Sequence, residues 1–117
     1  MSTEAPKGSL IYLEDMEGCI GKILAYTEGL SLEQFCGDRK TVDSVCFNLA
    51  VLGEAANKVS PETRQEMKNI PWRRIISTRN KLIHGYSAID DELIWDIVKT
   101  DLPNLSLTLA RALNLKP

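Results

Sequence analysis

The 117-residue chain has one histidine, three cysteines and 6% aromatic residues. Each shortage excludes something. No apolar run approaches the roughly 20 residues of a membrane span, and Met1 to Gly8 lacks the charged-then-apolar layout of a signal peptide, so the protein is expected in the cytoplasm with no membrane partner. Cys19, Cys36 and Cys46 are odd in number, widely spaced and set among apolar residues, which fits reduced core thiols and not bridges. With a single histidine and no close cysteine pair, neither a zinc site nor another metal or cofactor is expected. A chain of this length buries about two thirds of the surface its unfolded form exposes, so it needs no such staple to fold. Nowhere do β-branched residues alternate with polar ones for a strand's length, and no repeat or low-complexity tract occurs. The formal charge of -2 and the lone histidine argue at first sight against a nucleic-acid partner and against acid-base chemistry.

What the chain does have is helical periodicity. Residues 1–8, with Pro6 and Gly8, read as a disordered lead, followed by one domain over residues 9–115. From Ser9, Leu13, Met16, Ile20, Ile23, Leu24 and Thr27 recur at three- and four-residue spacing. Gly18 and Gly21 each cost this helix about 1 kcal/mol relative to alanine, explained either by close approach of a neighbouring helix or by simple tolerance. Ser31-Leu32-Glu33-Gln34 is a capping-box pattern for a short turn ending at Gly37. A long helix starting near Asp38 to Thr41 carries Val42, Val45, Cys46, Leu49, Leu52, Gly53, Ala56 and Val59 on one stripe. Ser60-Pro61-Glu62 starts a second short turn. Pro71 opens a helix from Trp72 to His84 that Gly85 ends, with Trp72, Ile75, Ile76, Arg79, Leu82 and Ile83 on its stripe. Asp90-Asp91-Glu92 reads as the capped first turn of the last third, where Leu102-Pro103 is expected to kink or restart the helix. Leu105, Leu107, Leu109 and Leu113 follow. The reading is an all-α, up-and-down bundle of four main helices, with short extra turns at 31–36 and 61–68.

Charge is unevenly placed. Residues 64–86 hold Arg64, Lys68, Arg73, Arg74, Arg79 and Lys81 against Glu66, a formal +5, while the rest of the chain is -7. A basic face on an acidic body is the electrostatic footprint of a phosphate-bearing ligand, although solvated helix flanks give the same count. Arg79 is different, because it shares a face with Ile75, Ile76, Leu82 and Ile83. An arginine there is either salt-bridged or lining a cleft, and Glu54, beside Gly53 on the preceding long helix, is the candidate partner. Trp72 and Trp95 read as core or interface anchors.

The segment Arg79-Asn80-Lys81-Leu82-Ile83-His84-Gly85-Tyr86 resembles the signature of the HepT-like HEPN proteins, small α-helical ribonuclease toxins: Arg, four residues, His, one residue, Tyr. Gly53-Glu54-Ala55-Ala56, Ile70-Pro71-Trp72-Arg73 and Asp101-Leu102-Pro103 are also similar to segments of that family, so the likeness runs from about Leu10 to Leu113. The resemblance implies a HEPN-like bundle and metal-independent cleavage of RNA by a homodimer whose two motifs face each other. It also implies a type VII-like toxin-antitoxin pair, in which an MntA-type minimal nucleotidyltransferase acts as antitoxin by adenylylating the motif tyrosine, here Tyr86.

Chemistry reaches a compatible place from the residues. Cleaving RNA without a metal needs a base for the ribose 2′-OH, an acid for the leaving 5′-oxygen and a cation for the crowded phosphate oxygens. One His84 per chain could shuttle both protons in turn, whereas a two-fold dimer supplies two imidazoles and two guanidiniums. Five residues rotate a helical side chain by about 140°, so Arg79 and His84 of one regular helix cannot both point squarely at one phosphate. Either the helix breaks before Gly85 or a second chain completes the site. On this reading Arg79 stabilises the transition-state charge and His84 is the general acid or base. Asn80 hydrogen-bonds the scissile phosphate or orients His84, Tyr86 is a substrate contact at the mouth, and Arg73, Arg74 and Lys81 hold flanking phosphates. The competing reading is a non-catalytic helical partner, or nucleotide-binding subunit, of a minimal nucleotidyltransferase. A plainer one is a dimerisation module whose arginines are structural, with His84, just before Gly85, only a dipole partner at a helix C-terminus.

Overall fold

The apolar stripes close on one another along four long helical stretches. The computed structural model describes residues 7–114, and among these the chain is helical with no strand. Its helices are α1 (Lys7–Thr27), α2 (Leu32–Cys36), α3 (Arg39–Lys58), α4 (Pro61–Glu66), α5 (Trp72–His84), α6 (Asp91–Asp96) and α7 (Leu102–Ala112). A 3₁₀ turn, Tyr86–Ala88, follows α5, and a π turn, Ile97–Asp101, joins α6 to α7. α1 begins two residues before Ser9; the expected disordered lead otherwise lies outside the described residues, as does residue 115.

α3 is the central element. It packs on α1 along one side and on α5 along another, α2 lies against α3 and α6, and α7 closes onto α1. Leu13, Met16, Ile20 and Ile23 of α1 meet Val45, Leu49, Leu52 and Ala56 of α3 in a core completed by Ile94, Val98, Leu102 and Leu109. Cys19 and Cys46 are buried free thiols, and Cys36 is half-buried.

The caps fall where the sequence places them. Ser31 and Gln34 make both bonds of the capping box at 3.1 and 2.9 Å, Asp38 caps α3 through Thr41, and Ser60 caps α4 through Thr63. Three local readings change. Added Cβ atoms at Gly18 and Gly21 would meet nothing, so of the two explanations offered for them tolerance holds; the close helix approach is at Gly53 instead. Pro103 has no N–H for the carbonyl one turn back, and the chain absorbs the loss in the π turn, where Leu102 N–H reaches the Ile97 carbonyl. Arg64 does not join a basic face. Its guanidinium bonds the carbonyls of Ala56, Asn57 and Val59 at the end of α3 and stacks over Trp72, whose indole N–H donates to the Met67 carbonyl. That knot fixes where α5 starts relative to α3.

Candidate active site

The site begins where α5 crosses α3. A Cβ built on Gly53 would stand 2.2 Å from Arg79 Cβ and 3.1 Å from the Ile75 carbonyl oxygen, so only glycine lets the two helices come this close. Arg79 is thereby wedged on the α3 surface, as its place on the apolar stripe requires. Its Nη2 forms an ion pair with Glu54 Oε2 at 2.8 Å, the partner expected from the sequence. Its Nη1 donates to Asn80 Oδ1 at 2.9 Å. Its Nε is buried without a hydrogen-bond partner among the described residues.

On the outer side of α5, positions 73, 77, 80, 81 and 84 fall within an arc of about 100°, so Arg73, Ser77, Asn80, Lys81 and His84 form one polar ridge. Arg73, Asn80, Lys81 and His84 are exposed. An open pocket at the ridge's end is lined by Ser77, Asn80, Lys81, His84, Gly85, Ala88 and Ile89, with no carboxylate among them. α5 stays regular through His84 and ends at Gly85, whose N–H bonds the Lys81 carbonyl. The helix therefore does not break ahead of Gly85. Arg79 reaches the ridge only through Asn80, and one copy brings a single imidazole to it.

Tyr86 leaves this ridge. The 3₁₀ turn carries its hydroxyl to α3, where it donates to Asp43 Oδ1. Asp43 also lies 3.4 Å from Arg39 Nε, and Arg39 forks onto Asp91 with contacts of 3.2 and 3.1 Å. The hydrogen bond to the carboxylate, with a smaller contribution from burial, pushes the Tyr86 phenol up to about 12. The neighbouring Cys46 thiol is pushed up to about 11, chiefly by burial, and stays un-ionised at neutral pH.

The basic segment is less free than its count implies. Arg74 is held by Asp101 at 2.6 Å and Asp96 at 3.7 Å, off the ridge, and could take a phosphate only by exchanging those partners. Arg73 and Lys81 make no ion pair among the described residues. Sequence reasoning missed Arg39, Asp43 and Asp91. Arg39 and Asp43 do stand four apart on one helix, a legible pair, but nothing local links them to Tyr86 or Asp91. Asp91 therefore does more than begin a helix, since it takes the Arg39 fork, while Asp90 does cap, accepting from Glu92 N–H at 2.9 Å.

Three large apolar side chains on the helices that build the site stand exposed. Phe47 and Val51 on α3 and Ile83 on α5 are exposed, Phe47 at 68%. Periodicity puts Ile83 on the core stripe, but at 51% exposure it lies at the stripe's outer margin.

Comparisons with known proteins bear on the family of the chain. Residues 16–112 match the family model described as HepT-like, "Ribonuclease HepT-like". A "Probable ribonuclease HepT" of Thermococcus cleftensis is 36% identical over 94 residues, covering 80% of this chain and 86% of the relative. Two proteins of Methanocaldococcus jannaschii, each named "Putative RNase", are 30% identical over 94 residues, covering 80% and 86%, and 33% identical over 93 residues, covering 80% and 77%. No solved structure matches significantly.

Proposed function

The chain belongs to the ribonuclease HepT-like family, and on that premise we propose that it is a metal-independent RNA endonuclease, the toxin of a type VII-like pair, acting as a homodimer. The observation that carries this reading is the arrangement on α5: Arg79, Asn80 and His84 share one unbroken helix, with the guanidinium tied to Asn80 one turn before the imidazole. A base must take the ribose 2′-OH proton as that oxygen attacks phosphorus, and an acid must protonate the departing 5′-oxygen. A two-fold axis beside the ridge would provide both from two copies of His84, one neutral and one protonated. The exposed Phe47, Val51 and Ile83 are the surface such an axis would bury. Arg79 and Asn80 would stabilise charge building on the non-bridging oxygens. Attack by the 2′-OH leaves a 2′,3′-cyclic phosphate or its opened product. Arg73 and Lys81 hold flanking phosphates; Arg74 joins them only on leaving Asp101.

Tyr86, two residues beyond His84 and 47% exposed, is the proposed acceptor for adenylate from an MntA-type nucleotidyltransferase, which would place a charged group at the mouth of the site. The deciding experiment is cleavage of single-stranded RNA in EDTA by wild type and His84→Ala, with solution mass measured at the assay concentration. We expect cleavage by a dimer and a loss of about 10²-fold or more in the variant. Full-rate cleavage by His84→Ala, or a monomer that cleaves, refutes the composite site. Equal adenylate uptake by wild type and Tyr86→Phe would remove Tyr86 as the acceptor.

A further inference from the structure

A guanidinium has only donors to offer, so the contact between Arg79 Nη1 and Asn80 at 2.9 Å can be made only by the amide oxygen. The amide nitrogen, with its two N–H groups, is therefore turned away from Arg79. Arg79 in turn has little freedom to release it. Its stem is wedged where Gly53 leaves no room for a methyl group, and its other terminal nitrogen is held by Glu54 at 2.8 Å. Every polar side chain lining the pocket on the outer face of α5 can then donate a hydrogen bond: the Asn80 amide N–H₂, the Lys81 ammonium, the Ser77 hydroxyl and the His84 imidazole, with no carboxylate among them. An asparagine free to rotate would present oxygen there as readily as nitrogen, and oxygen repels a phosphate.

We propose that Glu54, acting through Arg79, is a positioning residue that fixes Asn80 as a hydrogen-bond donor to a nucleic-acid phosphate seated between Asn80, Lys81 and His84. This rests on the ribonuclease reading for the identity of the ligand, and it chooses between the two roles open to Asn80: phosphate donor, not orienter of His84. Charge alone forecasts the opposite behaviour for Glu54. Deleting a carboxylate near an anion site should tighten binding, whereas deleting a positioning residue should weaken it.

The test uses a non-cleavable 2′-deoxy oligonucleotide for affinity and the matching RNA for kcat and KM, on wild type, Glu54→Ala, Glu54→Gln, Asn80→Ala and Asn80→Asp. Glu54→Ala should weaken oligonucleotide binding about threefold and lower kcat about tenfold, and Glu54→Gln, which keeps an acceptor for Arg79, should recover part of both. Equal or tighter binding by both Glu54 variants, with kcat unchanged, overturns the proposal. Asn80 is exposed, so its variants should fold even if those at Glu54 do not. Asn80→Asp would turn an acidic oxygen to the phosphate and should bind about tenfold more weakly than wild type, against about threefold for Asn80→Ala. Equal affinities of the two Asn80 variants overturn it too, as does failure of the wild type to bind. Binding does not require cleavage. A protein that binds the oligonucleotide with this pattern yet leaves RNA intact refutes the ribonuclease reading and upholds the polarity of Asn80.

Discussion

Arg79 and Tyr86 bound one eight-residue segment, yet its two ends are held by opposite means. The Arg79 side chain is 26% exposed and stands in a notch cut by a missing Cβ, its head clamped between Glu54 and Asn80. Tyr86 is held at the surface through Asp43, 54% exposed, and Arg39, 60% exposed; only Asp91, at the far end of these contacts, is as sheltered as Arg79, at 26%. A position set by helix packing cannot change without moving a helix. One set by exposed polar contacts can exchange its partners for a ligand or a modifying group at small cost. The rigid end is the one assigned to transition-state charge, and the exchangeable end is the one assigned to regulation.

The contrast breaks most sharply at Gly53. Alanine in an ordinary helix interior stabilises by about 1 kcal/mol relative to glycine, so helix propensity forecasts a rise in stability for Gly53→Ala. Contact geometry forecasts a fall, because the new methyl would meet Arg79 Cβ at 2.2 Å and α5 must back away. Overpacking of this kind costs about 1 to 3 kcal/mol, and displacing the motif by about 1 Å should cost on the order of 10²-fold in cleavage. Chemical denaturation and a cleavage assay read both effects. A more stable Gly53→Ala protein with full activity would show that Arg79 is not held by packing.

At the Tyr86 end the expected effects are smaller. Tyr86→Phe and Asp43→Ala should each change unfolding free energy by about 1 kcal/mol or less, since the network is exposed and water replaces what is lost. A double-mutant cycle isolates the hydrogen bond from the second contact Asp43 makes with Arg39. Raised salt should weaken the Arg39 pairs while leaving the cost of Gly53→Ala unchanged. A coupling of about 3 kcal/mol would mean that this end is as firmly built as the other, and the comparison would fail.

The two ends also differ in how visible they are in the sequence. Arg79 disturbs an apolar stripe, and a charge on a stripe demands a partner on the facing helix; Glu54 beside Gly53 was therefore findable from periodicity alone. Ser31, Asp38, Ser60 and Gly85 announce the helix ends because capping is local chemistry. Tyr86 and Asp43 are brought together by the turn after α5, across 43 positions, and surface hydrogen bonds of that kind leave no periodic trace. Charge counting failed for a related reason. A formal +5 says nothing of pairing, and Asp101 removes Arg74 from the ridge while the end of α3 takes Arg64. Pro103 marked a break in the last helix, but a proline does not specify that the break takes the form of a π turn.

The finest distinction between the two ends is one of pH. The neutral phenol of Tyr86 is the form that donates to Asp43, and its pKa is raised from 10.0 to about 12, first by that hydrogen bond. A folded-state pKa above the unfolded one means that the bond's contribution to stability is fully present below about pH 10 and disappears as pH rises through about 12. With Tyr86 nearly half exposed, solvent screening leaves little of this in the unfolding free energy, so phenolate absorbance is the better reading. Subtracting the titration of Tyr86→Phe from that of wild type should give a single transition near pH 12, and in Asp43→Ala the same difference should move down toward 10. Neutral pH lies far below either transition, so the loss of Asp43 should leave the Tyr86 hydroxyl protonated but unheld. An unheld hydroxyl should accept adenylate at least as fast as in wild type if the Asp43 bond serves only to anchor it. Slower uptake by Asp43→Ala would instead give the carboxylate a part in taking the phenol proton, and the exposed end of the motif would then be built for chemistry as firmly as the buried one.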